Sequence, residues 1–258
     1  MQIWQCRQHC LRPLQGPTAL LDALFGKEKS APLAAFVGAG GKSTLIDALG
    51  VQAARRGWHA LISTTTHIWR PDGGVVTVQD SPAKLAAVCR THAVVTAGQP
   101  DGNGKLAMLP ALSWKRMRGQ VDIILLEADG AKGRPIKAPR THEPVLPPQV
   151  THVCAVVGLH ALGQTLEQAG FGVQALGRVL AKTPQETVEA MDIVRLCASK
   201  AGGRKHVPAH ARYCVCLHQA DTPRRLAQAA RIADALEERG ICCLITAGRE
   251  ENGHAGID

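Results

Sequence analysis

Seven consecutive residues, Gly38-Ala-Gly-Gly-Lys-Ser-Thr44, bring three glycines, an ammonium and two hydroxyls into one short stretch. Glycines let a backbone turn sharply and press its N–H groups against an anion, and a helix starting there adds unpaired donors and partial positive charge. Lys42 would reach terminal phosphates and the Ser43 hydroxyl would ligate Mg²⁺, with Thr44 beside it. The chemistry written here is phosphate binding, through Gly38, Ala39, Gly40, Gly41, Lys42, Ser43 and Thr44.

The spacing is shorter than the G-x-x-x-x-G-K-[ST] pattern, whose first glycine would fall on Phe36. Compact loops of this kind resemble those of ATP-dependent amide ligases of the Mur type. That likeness is one of motif alone.

A second set of reactive groups follows the apolar run Val121–Leu126, which ends in Glu127-Ala-Asp129-Gly130. Glu127 and Asp129 project to one side of an extended chain. Carboxylates there could hold Mg²⁺ or its waters opposite the phosphate loop and orient an attacking group. The next loop is basic: Lys132, Arg134, Lys137 and Arg140 stand among glycines and prolines, with His142 and Glu143 behind. Lys132 and Arg134 are expected near a transferred phosphate or a second anionic substrate. Thr64-Thr65-Thr66 closes an earlier strand, where a hydroxyl, taken as that of Thr65, would join Ser43, Glu127 and Asp129 at the metal. Lys42→Ala is expected to abolish nucleotide binding and leave the fold intact.

These groups need strands that end together and a helix that starts at the loop. Leu33–Val37 reads as the strand before the loop, and 43–56 as its helix, stopped by Gly57. Strands are expected over 58–64, 74–78, 93–97, 121–126, 151–158, 213–217 and 241–245. Helices are expected over 18–25, 81–92, 112–118, 183–198 and 222–239, the one from Thr183 on the strength of its Thr-Pro-Gln-Glu capping box. Residues 99–106, with Pro100, Gly102 and Gly104, read as a turn or hairpin. Alternating strands and helices predict a P-loop NTPase-like three-layer α/β/α fold with a mostly parallel sheet. Residues 1–30 read as an N-terminal segment and 31–258 as one nucleotide-binding domain.

The motifs Gly38-Ala-Gly-Gly-Lys-Ser-Thr, Thr64-Thr-Thr-His, Leu126-Glu-Ala-Asp-Gly-Ala-Lys-Gly-Arg-Pro-Ile-Lys-Ala-Pro and His142-Glu-Pro-Val-Leu-Pro together resemble the YqeC family. The likeness runs from the phosphate loop to the last strand, and the Glu-Ala-Asp-Gly-Ala segment is its most distinctive part. It implies an accessory protein of selenium-dependent molybdenum hydroxylases, with an NTP-dependent role in maturing or inserting the cofactor. A molybdenum hydroxylase or its cofactor-handling proteins would then be partners. Relatives look closer to Asn-Lys-x-Asp, a guanine-reading pattern, at 218–221, whereas this chain keeps only Asp221 behind His218 and Gln219. ATP and GTP both remain open as the nucleotide, with Mg²⁺.

Composition narrows the classes. At 258 residues, 45% hydrophobic and 20% charged, the chain is long enough for a large core. Aromatics at 3% argue against a base-stacking nucleic-acid platform. A net charge of +9 points to anionic partners, nucleotide first. Nucleic acid ranks low because no basic run resembles a tail. No stretch reaches the ~18 apolar residues of a membrane span, so no membrane partner is expected. Nine cysteines, several in apolar strand-like runs, with no signal-peptide pattern at the start, predict a reducing, cytoplasmic setting. Cys6-x-x-His9-Cys10 offers part of a metal site with no second pair in sequence. Homodimerisation is left open. Three readings stand: an NTP-hydrolysing maturation protein; a kinase or Mur-like ligase for a small acidic or pterin-like substrate; and a non-catalytic nucleotide-binding scaffold.

Overall fold

The computed structural model describes residues 1–78, 81–109 and 114–248. Its centre is a ten-stranded, mostly parallel sheet. The chain opens with a hairpin, β1 (Gln2–Arg7) and β2 (Cys10–Leu14), then helix α1 (Ala19–Phe25). Strand β3 (Leu33–Gly38) leads through the glycines into α2 (Lys42–Arg55) and on to β4 (Ala60–Thr64). Short strands β5 (His67–Trp69) and β6 (Val75–Thr77), helix α3 (Pro82–Thr91) and β7 (Val94–Ala97) follow. A small hairpin, β8 (Gln99–Pro100) and β9 (Lys105–Ala107), precedes α4 (Trp114–Met117), β10 (Ile123–Glu127) and β11 (Ile136–Lys137). Then come β12 (His152–Gly158), α5 (Leu166–Ala169), β13 (Gly170–Phe171), α6 (Val173–Leu180) and α7 (Ala190–Ala198). Strand β14 (Arg212–His218), α8 (Pro223–Glu237) and β15 (Cys242–Ala247) complete the described chain.

The main sheet runs β2-β1-β15-β14-β12-β3-β10-β4-β7-β6. From β15 to β6 every neighbouring pair is parallel, while β1 and β2 are antiparallel additions at the edge. The long central strands are aliphatic because both sides are covered by helices. Strand β3 shows this residue by residue. Ala34 and Phe36 pack with Leu45, Ile46 and Leu49 of α2 and with α1. Leu33, Ala35 and Val37 face the opposite side, where α3 to α8 contribute. Phe36, the residue in place of the longer motif's glycine, is fully buried beneath α2. A phenylalanine so placed contributes roughly 1.5–3 kcal/mol of burial, which a glycine would forfeit.

Buried Gln52 of α2 accepts from the amides of Leu20 and Leu21, both at 3.0 Å, and so ties α1 to α2. Among the described residues, no helix is long and apolar enough to cross a membrane.

Two sequence expectations need correcting. Only half of the capping box at Thr183 forms: Glu186 Oε2 accepts from the Thr183 amide at 2.6 Å and its hydroxyl at 2.8 Å, while the Glu186 amide donates to the Thr183 carbonyl, and no helix starts there. Instead 186–188 runs beside 164–166: Leu166 N donates to Glu186 O at 2.9 Å and Val188 N to Gln164 O at 2.8 Å. Helix α7 begins only at Ala190, capped by Glu189 and Asp192. The short elements α5, β13 and α6 were not expected. Of the helix expected over 112–118, Trp114–Met117 is helical and residues 112 and 113 lie outside the described residues.

Candidate functional site

The glycine-rich loop sits at the C-terminal end of β3, between β10 and β12. From β3 the chain crosses to β4 on one side, whereas β12, β14 and β15 build outward on the other. Such a reversal leaves a crevice at the carboxyl ends of parallel strands, where ligands of open α/β sheets bind. Backbone geometry shapes the loop. Gly40 has φ +79°, and a Cβ there would lie 2.3 Å from the Gly158 nitrogen and 2.7 Å from the Pro135 oxygen. Gly41 has φ +119°, and its Cβ would lie 2.2 Å from the His218 ring. Side chains are excluded at both positions by conformation and by space.

Register puts the carboxylates opposite the loop. Glu127, the last residue of β10, pairs with Phe36 of β3 and Thr64 of β4. Its Oε2 accepts from the Ser43 hydroxyl at 2.9 Å, and its Oε1 lies 3.8 Å from Lys42 Nζ. Asp129 Oδ2 accepts from the Gly38 amide at 3.0 Å. Asp129 Oδ1 makes no hydrogen bond but faces Lys42 Nζ at 3.1 Å. Lys42 also donates to the Gly38 carbonyl at 2.7 Å and is buried. With the Gly38 amide on Asp129 and the Ala39 amide on the Val156 carbonyl at 2.9 Å, the amides of Gly40, Gly41 and the first turn of α2 are the donors left for an anion.

Burial raises the Glu127 carboxyl above the usual glutamate range; Lys42 and the Ser43 hydroxyl pull it back, while Asp129 and Asp47 push it further up. A carboxyl raised by burial beside a lysine and a helix start is a local perturbation of the kind that clusters at functional sites.

Lys137, grouped in the sequence with the basic loop, belongs to this buried network. Its Nζ lies 3.5 Å from Asp129 Oδ2, 2.7 Å from Glu143 Oε2 and 2.6 Å from the Gly130 carbonyl. The ring of Phe171 stands 5.3 Å from it. Burial alone would push Glu143 up, but hydrogen bonds from Lys137 and the Arg140 amide, with both positive charges, hold it below its usual range. Two ammonium groups and three carboxylates are thus interleaved behind the loop. The spacing Glu127-x-Asp129 with Lys137 eight residues later was visible in sequence; which cation met which acid was not.

The other candidate residues are placed as follows. Thr65 is buried and its hydroxyl donates to the Val145 carbonyl at 2.7 Å, while Thr64 donates to the Glu127 carbonyl at 2.8 Å. Lys132 is exposed at φ +48°. Arg134 donates to the Gln168 carbonyl beside α5. Thr44 is half-buried in the first turn of α2. Asp221 lies past the end of β14, where its Oδ1 accepts from the Gly248 amide at 2.8 Å. Arg249 lies outside the described residues. His218 Nδ1 pairs with the Thr246 hydroxyl at 2.7 Å, and His160 Nδ1 pairs with Gln219 Oε1 across Gly158. The His218 ring under Gly41 was not anticipated as a support of the loop.

Fold and site define an α/β protein in which a glycine-rich strand-to-helix loop faces a carboxylate pair at the edge of a parallel sheet. The profile of the family described as "YqeC protein" matches residues 34–172, which spans the loop, the carboxylates and the Lys137 network. A protein of Escherichia coli (strain K12), described as "Uncharacterized protein YqeC", is 33% identical over 205 residues, covering 77% of this chain and 79% of the relative. The chain belongs to the YqeC family. No solved structure matches it.

Proposed function

We propose that this chain is a P-loop NTPase-like protein that binds a nucleoside triphosphate with Mg²⁺ at the Gly38–Thr44 loop and hydrolyses it. The observation that carries the reading is the hydrogen bond from Ser43 to Glu127, with Lys42 held between Glu127 and Asp129. The donor set suits Mg²⁺: a hydroxyl and two carboxylates are hard oxygen ligands, and nothing soft intervenes. Ser43, Glu127 and Asp129 would hold the ion directly or through water. When bound, it would offset the negative charge of the phosphates.

The protein's own groups have separable tasks. Amides from Gly40 to Ser43 bind phosphate oxygens, and Lys42 exchanges a carboxylate partner for a phosphate one. Glu127 would orient an attacking water and, in its ionised form, accept a proton from it. Lys137 keeps Asp129 aligned from behind. Lys132 and Arg134 lie on the loop that follows, with Arg134 able to leave the Gln168 carbonyl for an anion. Asp221 and the Gly248 loop lie past β14 and β15, where a base would rest, for ATP or GTP alike. A role in maturing a molybdenum hydroxylase, with that enzyme or its cofactor-handling proteins as client, rests on the family resemblance.

Calorimetric titration with ATP, GTP and CTP in the presence of Mg²⁺ tests the binding. One-site, Mg²⁺-dependent binding of a triphosphate, lost in Ser43→Ala, is the expected result; no heat with any of the three overturns it. Phosphate release with and without a candidate client then separates hydrolysis from simple binding.

A further inference from the structure

The edge hairpin and helix α8 bring together a second group of ligand-type side chains, away from the glycine-rich loop. Cys6, near the end of β1, is buried, and its sulfur lies 2.9 Å from Asp234 Oδ1 and 3.6 Å from Glu237 Oε2. Asp234 and Glu237 are three apart on α8 and so share a face of that helix. His9, in the turn between β1 and β2, places Nδ1 3.4 Å from the same Asp234 oxygen. Thiol, imidazole and two carboxylates therefore converge from sequence positions more than two hundred residues apart. The Cys6–Asp234–Glu237 ligand atoms all lie within 4.8 Å of one another.

Two features set this group apart from ordinary surface acids. A thiol has one proton to donate, yet two carboxylates converge on the one sulfur. The single thiol proton can serve only one of them at a time, whereas a cation among the groups would engage the sulfur and both carboxylates together. In addition, Glu237 is aimed from outside the group: its Oε1 accepts from the Gln8 amide at 2.9 Å and its Oε2 from the His9 amide at 3.4 Å. Metal-ligating carboxylates are characteristically oriented by such outer hydrogen bonds. Around a tetrahedral ion with bonds of about 2.0–2.3 Å, neighbouring ligand atoms stand roughly 3.3–3.6 Å apart. The Cys6–Glu237 and His9–Asp234 separations of 3.6 and 3.4 Å match that spacing, and the Cys6–Asp234 pair, at 2.9 Å, would open by about half an ångström to admit the ion.

We propose that Cys6, Asp234 and Glu237, with exposed His9 closing the fourth position, form a binding site for a borderline divalent cation, best matched by Zn²⁺. Mixed sulfur, nitrogen and oxygen donors in four-fold geometry favour that ion over Mg²⁺ or Ca²⁺. Bound there, it would staple the β1–β2 hairpin to α8. The site is independent of the nucleotide reading and stands or falls without it.

The test is a Co²⁺ titration of the full chain followed by absorbance, with Zn²⁺ as competitor. One equivalent of Co²⁺ should produce a thiolate-to-cobalt charge-transfer band that Zn²⁺ bleaches. Cys6→Ser should remove the band, and Asp234→Asn or Glu237→Gln should weaken binding about 10–100-fold. A band that survives Cys6→Ser would assign the metal to one of the other cysteines and overturn the proposal, as would the absence of any band. Should Cys6→Ser fail to fold, Asp234→Asn carries the decision: unchanged Co²⁺ affinity in that variant is equally fatal.

Discussion

Ser43 stands in the first turn of helix α2 and Glu127 closes strand β10, and the hydroxyl of the first donates to the carboxylate of the second at 2.9 Å. A residue of the glycine-rich loop is thereby joined to the neighbouring strand by the protein's own groups. The same carboxyl is buried, and burial raises its pKa.

That raised pKa makes a prediction with a definite sign. The folded carboxyl keeps its proton to higher pH than the unfolded one, so its contribution favours folding below the ordinary value of 4.5 and is lost as pH rises through the folded value. Glu127→Gln should therefore melt about 2–4 °C above the native chain near pH 7, for each kcal/mol recovered, with the gap closing towards pH 4. Mg²⁺-dependent nucleotide binding should be lost in the same variant. Melting scans across pH, paired with calorimetry, check both halves. A lower melting midpoint at pH 7 would contradict the electrostatic account.

Lys42 has acquired a structural duty that the sequence did not disclose. Because it is buried against Asp129 and Glu127, Lys42→Ala would strand two carboxylates and is expected to cost about 3–5 kcal/mol. The expectation of an intact fold is thus revised. Denaturant unfolding of Lys42→Ala measures the loss. Ser43→Ala, at an exposed position, should lose Mg²⁺-dependent binding with stability changed by no more than about 1–2 kcal/mol.

Lys137 should behave similarly without touching the loop. Lys137→Met leaves Asp129 and Glu143 without their shared cation, and a comparable loss of about 3–5 kcal/mol is expected. Glu143 has the opposite pH signature to Glu127. Its lowered pKa stabilises the fold above 4.5, and that stabilisation disappears as pH falls through the folded value. Glu143→Gln should accordingly lower the melting midpoint at neutral pH and converge with the native chain in acid.

Gly40→Ala tests the loop's shape. The added methyl meets backbone atoms of Gly158 and Pro135, which cannot swing aside, and the positive φ adds strain. A cost of at least about 1–3 kcal/mol and loss of triphosphate binding are expected, read by melting and by calorimetry. Gly133→Ala, at positive φ but in open space, provides the control for conformation alone.

Local signals made the site legible. The apolar run before Gly38, the helix after it and the strand ending at Glu127 each announce themselves within a few residues, and parallel pairing of β3 with β10 then brings them together. Long-range relations left no such trace. Strand β1 reads Gln-Ile-Trp-Gln-Cys-Arg, too polar to mark a sheet member, and its partner lies at the far end of the sequence. The helix expected from Thr183 failed because extended pairing with 164–166 took up the backbone groups that a first turn would have used. The four residues of α5 offer too few turns for a periodic pattern, and the helically spaced Val173, Leu176, Val179 and Leu180 of α6 span only eight residues.

The pairing of β1 with β15 has a kinetic consequence. Gln2 lies opposite Ala247, so β1 cannot dock until β15, far along the chain, has been made. Strand β15 is also the bridge between that hairpin and β14. Its arrival completes the parallel series and attaches the hairpin in one event, at the largest loop-closure distance among the described strand pairings. Until then the free edge of β14 and the unattached hairpin are both exposed to pairing with other chains. Synthesis and refolding should be most vulnerable to aggregation at that last stage.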